Sequence, residues 1–207
     1  MKAKLSTIVK SGWFIGGAAF ILGAATILAI RFITYSPEEV HYHANFAVYL
    51  NGQKEQFKDM RYYEETAATS CSLEKIETPL ERAHMHGNVN DVVHVEDHLV
   101  TWGTFFQNLG WGIGNDYLKT ADKIYTTDGQ NKLTFMLNGK KVDSVINLII
   151  KDEDKLLVSY GNESDDKLQK GYDSIPSTAH KYDIEKDPAS CSGHKSTTTS
   201  EKLKHLF

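Results

Sequence analysis

Six of the nine histidines lie between His41 and His98, and they fall into three groups with one spacing. His41 and His43 are two residues apart, as are His84 and His86, and His94, Glu96 and His98 repeat the interval. In an extended chain, a spacing of two puts side chains on the same face of a strand. Imidazoles converging from strand faces are the donors that a transition-metal ion takes, copper and zinc among them, and the neutral ring is the binding form. Four such nitrogens would close a tetrahedral zinc site. Three with an open position would permit catalysis, with Glu96 as base or as the group that orients a ligand.

Strand parity separates these histidines from core residues. Along His41 to Leu50, the side chains of Phe46, Val48 and Leu50 share one face, and His41, His43, Asn45, Ala47 and Tyr49 share the other. In the third group Val93 and Val95 point one way, and His94, Glu96 and His98 the other. Core histidines would show the reverse pattern. If the three segments are neighbouring strands, their polar faces form one cluster. The expected ligand set is His41, His43, His84, His86 and His94, with Glu96 and His98 as further ligands or hydrogen-bonding supports. His98 stands near a helix start, a position open to solvent as well; Met85, between His84 and His86, points to the opposite face. Three other readings compete with a metal site: separate solvated faces, a cluster titrating near about 6.5, and a polar network that fixes the hairpins. His180, His194 and His205 lack partners at useful spacing and read as solvated. Cys191 and His194 do have a C-x-x-H spacing, a weak signal by itself.

The elements that must position these residues can be outlined. A strand over 41–50 runs into Asn51-Gly52, a strong two-residue hairpin signal, with a return strand over 53–57. Residues 58–82 read as a loop with one helical turn. Strand pieces over 83–86 and 92–98 flank a turn at 87–91. Thr101 is a helix N-cap, Gly110 suits the position past the helix end, and Trp102, Phe105, Phe106 and Leu109 form its apolar face. A second hairpin, 132–137 with 140–142, turns at Asn138-Gly139. Residues 145–150 are a strand or a helical turn, and 156–160 a closing strand ended by Gly161. The expected fold is α+β: a small β-grasp-like domain, or an open sandwich, over residues 41–161. From residue 162 to 207 the composition is that of a mobile polar tail.

Upstream, Lys2, Lys4 and Lys10 precede an uncharged run from Ser11 to Ile30, closed by Arg31. Twenty helical residues span about 30 Å, the thickness of a bilayer core. A cleavable signal peptide is the alternative, but its apolar region is shorter and Ile-Leu-Ala-Ile-Arg is a poor cleavage context. The expectation is a cytoplasmic segment 1–10, a transmembrane anchor over 11–34, a stalk over 35–40, and an extracytoplasmic domain at the cell membrane. In an oxidising compartment Cys71 and Cys191 would pair. That bridge closes a loop of about 120 residues, worth about 4–5 kcal/mol in the chain-entropy model, and tethers the tail. Two free thiols, or one thiol recruited as a ligand, are the alternatives. A net charge of −4 without a basic stripe argues against nucleic acid as a partner; a protein partner stays open.

Together, the stretches His41-Tyr42-His43-Ala44, Asn51-Gly52, His84-Met85-His86, Val93-His94-Val95 and Thr101-Trp102-Gly103-Thr104-Phe105-Phe106 resemble a group of uncharacterised, membrane-anchored, extracytoplasmic proteins of bacteria and archaea. The resemblance covers 41–161. It implies an outward-facing domain with a shared histidine site and brings no activity with it. The functional expectation is a surface protein that binds copper or zinc for capture, buffering or scaffolding. The alternatives are a metal-dependent enzyme using Glu96 and a partner-binding module without metal.

Overall fold

The computed structural model describes residues 12–36, 40–63, 82–184 and 199–206. They belong to two compact units, Met1–Glu38 with Ser192–Phe207, and Glu39–Cys191. The proposed Cys71–Cys191 pair and His194 lie outside the described residues.

The first unit is built on helix α1, Gly12–Thr34, 23 residues without a buried side chain. Its mean hydropathy of 2.1 and its length suffice to cross a membrane. A short helix near the C-terminus, Thr199–Lys204 (α5, the last helix in the chain), belongs to the same unit. The Arg31 guanidinium donates to the carbonyls of His205 (3.0 Å) and Leu206 (3.4 Å), and the His205 ring stacks on Tyr35 at 4.4 Å. His205 is exposed, as expected, and its ring also finds a stacking partner in Tyr35.

The second unit is a mixed α+β domain. Its strands are β1 Tyr42–Leu50, β2 Gln53–Lys54, β3 Ala83–His84, β4 Val92–Val95, β5 Gly112–Ile113, β6 Tyr117–Lys119, β7 Ile124–Thr126, β8 Lys132–Leu137, β9 Lys140–Val142 and β10 Lys155–Gly161. Among the described residues its α-helices are α2 Trp102–Asn108, α3 Asp165–Asp173 and α4 Ala179–Ile184, with one 3-10 turn at Met60–Tyr62. Seven strands form one sheet in the order β3-β4-β1-β10-β8-β9, with β2 also paired to β1. The central pair, β1 and β10, is parallel; its neighbours are antiparallel. A parallel pair needs cover on both faces, and β10 is buried from Leu156 to Gly161.

On one face Ala44, Phe46, Val48, Val93, Val95, Leu156 and Val158 pack against α2. Trp102, Phe105 and Phe106 are fully buried there, each worth about 1.5–3 kcal/mol in apolar burial. The Thr101 hydroxyl accepts from Thr104 N–H at 3.1 Å, and Gly110 takes the left-handed conformation (φ 76°) just past the helix end. On the other face Ala47, Met136 and Leu157 pack against Leu168 of α3 and Ile175. Both Asn-Gly turns carry positive φ at each central residue, 52° and 78° at Asn51-Gly52 and 51° and 77° at Asn138-Gly139. This is the geometry that matches the twist of a hairpin.

Two expectations need correction, and one element was not expected. Residues 165–173 and 179–184 are not a mobile tail: they form α3 and α4, which close the second face of the sheet. Their polar composition reflects their outer sides, while a few apolar residues do the docking. Residues 145–150 are not a strand: the Leu148 N–H donates to the Val145 carbonyl at 3.1 Å in a single turn, and Ile149 makes one isolated bridge to Thr101. The three-stranded meander β5-β6-β7 over residues 112–126 had no expectation at all, because its strands are too short to show alternation.

Candidate metal centre

The three histidine segments are adjacent strands. In the order β3-β4-β1, His84 lies directly opposite His94, and His94 directly opposite His43. His41 and His86 flank this row at strand ends. The opposite faces of the same strands carry Ala44, Ala83, Met85, Val93 and Val95 into the main core. Met85 is fully buried there, away from the imidazoles.

His94 is the hub. Its ring lies 4.5 Å from that of His41, 4.6 Å from His43, 4.9 Å from His84 and 4.7 Å from His86. Two sets of three nitrogens, His41/His43/His94 and His84/His86/His94, are each close enough to hold a metal ion. His43 and His94 are almost inaccessible, 1% and 2% exposed; His41 and His86 are half-buried. His98 is exposed and belongs to neither set: its N–H donates to Asp97 and its carbonyl accepts from Arg82. The expectation of His98 as an added ligand is therefore not met, because β4 ends at Val95 and the chain turns away.

Two carboxylates fix the tautomers. The His43 Nδ1–H donates to Asp183 Oδ1 at 2.6 Å, and the His94 Nε2–H donates to Glu96 Oε1 at 3.1 Å. In neutral rings this leaves lone pairs on His43 Nε2 and His94 Nδ1, which face each other at 2.8 Å. Protons do not relieve that contact at neutral pH. Burial lowers the His94 pKa from 6.5 to about 4, against the opposing pull of Glu96 and with further lowering from His43. Burial also lowers that of His43, despite Asp183. His86 Nε2, 2.9 Å from His94 Nδ1, can donate one proton to it, but His43 Nε2 still faces an acceptor. His41 Nε2 is buried with no hydrogen-bond partner among the described residues. A carboxylate that orients each ring while the other nitrogen points inward is the usual support for a metal-bound histidine.

Room is limited but present. A cavity of about 10 Å³ is lined by His43, His86, Val89, Val92, His94 and Tyr182, close to the space that one water requires. Ligands at about 2.0–2.1 Å in a tetrahedron keep their nitrogens about 3.3 Å apart, so an ion would spread the facing pair by about half an ångström. The half-buried His41 and His86 are the rings best able to move.

Sequence reasoning missed Asp183, because residue 162 onward read as tail. It also missed the exposed group beside it: His180 Nδ1 lies 3.1 Å from Glu153 Oε1 and 3.9 Å from Asp183 Oδ2. His180, expected to lack partners, has two. The i,i+3 pair His180 and Asp183 after Ser177-Thr178 was the available signal. Next to this group, burial and the Asp183 and Glu153 charges push the Asp152 carboxyl above its ordinary value. Several histidine groups of the domain could thus hold a metal ion, and the chain's N-terminal helix is long and apolar enough to span a membrane. Compared with family descriptions, curated proteins and solved structures, the chain has no match.

Proposed function

We propose that the chain is a membrane-anchored protein whose extracytoplasmic domain binds copper or zinc through His41, His43, His84, His86 and His94, serving metal capture or buffering. The domain follows a β-grasp-like plan, with hairpin strand β1 beside the closing parallel strand β10, and offers the rigid sheet that such a site requires. The observation that carries the reading is the pair of inward lone pairs at His43 Nε2 and His94 Nδ1, each ring held from behind by a carboxylate. A purely structural polar network would put a proton between these nitrogens; a metal ion satisfies both. Glu96 is engaged with His94, which favours a supporting role over that of a catalytic base.

The test is metal titration and elemental analysis of the detergent-solubilised full chain with Zn²⁺ and Cu²⁺. His94 belongs to both nitrogen sets, so His94→Ala is expected to abolish tight binding, while His98→Ala leaves it unchanged. If the wild type retains neither ion after desalting, or if His94→Ala binds as well as wild type, the reading is wrong.

A further inference from the structure

The geometry points to a second, solvent-facing metal site formed by Glu153, His180 and Asp183, which captures an ion and passes it to the buried histidines. One nitrogen and two carboxylate oxygens lie within 4.8 Å of one another. An imidazole with two carboxylates is a mixed donor set suited to borderline divalent ions. His180 and Glu153 are 65% and 58% exposed, so water can complete the coordination and exchange remains easy. A shielded cluster of imidazoles is the tighter and slower destination.

Asp183 connects the two places. Its Oδ1 holds His43 Nδ1 at 2.6 Å, while Oδ2 faces His180. One carboxylate therefore borders both the exposed donors and a histidine that is almost wholly buried. Beyond His43 lies His41 Nε2, the buried nitrogen without a hydrogen-bond partner among the described residues. Glu153 reaches the same residue from a second direction: its N–H donates to the His43 carbonyl at 2.9 Å. The turn that carries Glu153 is braced, with Asp154 Oδ2 accepting from Lys151 N–H at 2.9 Å and Asp154 Oδ1 from Asn138 Nδ2 at 2.7 Å. The α4 end is braced as well, since Asn45 Oδ1 accepts from the N–H groups of Thr178 and Ala179 at 3.0 and 2.9 Å. Asp152 adds a further carboxylate to this edge, and like charges gathered at one mouth raise the local cation concentration. Only the destination of the ion rests on the function proposed above; the surface site stands on its own donors.

The experiment is Cu²⁺ titration of the detergent-solubilised full chain, compared with the double variant Glu153→Gln/His180→Gln. Both side chains are exposed, so the fold is not at risk, and Asp183 is kept. Electron paramagnetic resonance separates ions bound by several imidazoles from ions bound by one nitrogen and oxygens, and stopped-flow absorbance follows loading. Wild type is expected to show both classes. The variant is expected to lose the one-nitrogen class and to fill the several-imidazole class about ten-fold more slowly, with unchanged equilibrium affinity. Equal stoichiometry and equal loading in both proteins would overturn the proposal. Loss of the one-nitrogen class with unchanged loading would overturn the transfer role. If the several-imidazole class never forms while the one-nitrogen class forms and is lost in the variant, the surface site stands and the proposed function falls.

Discussion

At the scale of the residue, the buried histidines make stability depend on acid. His94 titrates near 6.5 in the unfolded chain and near 4 in the fold. Between these values the unfolded state holds more protons, so stability rises with pH across that window and is lost as pH falls from about 6.5 towards 4. The full effect is about 3 kcal/mol for His94, and His43, shifted in the same direction, adds to it. Urea unfolding of the metal-free chain is therefore expected to show a clear drop in midpoint between pH 7 and pH 4.5. His94→Gln should flatten that drop. A flat profile in wild type would mean that these rings keep access to water or to protons. Bound metal should raise the midpoint but keep the dependence and carry it below pH 4, because the ion holds the native rings unprotonated while the unfolded chain still takes up protons.

At the scale of the element, α4 is held over the histidines by Asn45 rather than by its own sequence. Asn45 is 2% exposed; its Oδ1 serves the first N–H groups of α4 and its Nδ2 donates to the Asp91 carbonyl and the Thr178 hydroxyl. Asn45→Ala strands several buried polar groups and is expected to cost about 2–4 kcal/mol in denaturant unfolding. Loosening α4 also frees Asp183 from His43, so metal affinity should fall about 10–100-fold, the usual range for loss of a ligand's hydrogen-bonding support. Asn45→Asp keeps the capping oxygen and should recover part of both losses. The same element marks how far the sequence could be read. The period-two histidines, the two Asn-Gly turns and the Thr101 to Gly110 helix carry their signals within a few residues, so they were legible. The β3–β4 pair follows from the short turn between them, but that β4 lies beside β1 depends on a pairing 51 residues apart, His43 with His94, which no local pattern encodes. The residues of α4 read as tail because six residues are too few for periodicity, and the partner that caps them, Asn45, is far away in the chain. Asp183 was hidden for the same reason.

At the scale of the whole molecule, the question is where the domain meets its ions. Helix α1 rises about 34 Å at 1.5 Å per residue, slightly more than a bilayer core of about 30 Å, which a modest tilt accommodates. Arg31 closes the apolar run and has a second task, since its guanidinium holds the carbonyls of His205 and Leu206. Cleavage near the end of the helix would therefore also cut the C-terminal segment from its dock, an argument for an anchor that stays attached. The chain is expected to remain in the membrane fraction after alkaline carbonate washing, at its full 23.3 kDa, and deletion of residues 1–34 should move it to the soluble fraction. Recovery of a shorter soluble species from the intact gene would support a signal peptide instead. With Lys2, Lys4 and Lys10 before the helix, the positive-inside rule predicts that the histidines face outward. Protease added to intact cells is expected to digest the domain, and changing the three lysines to glutamate should protect a fraction of it by inversion. Complete protection in wild type would put the domain in the cytoplasm and remove the argument that its imidazoles meet ions entering from outside the cell.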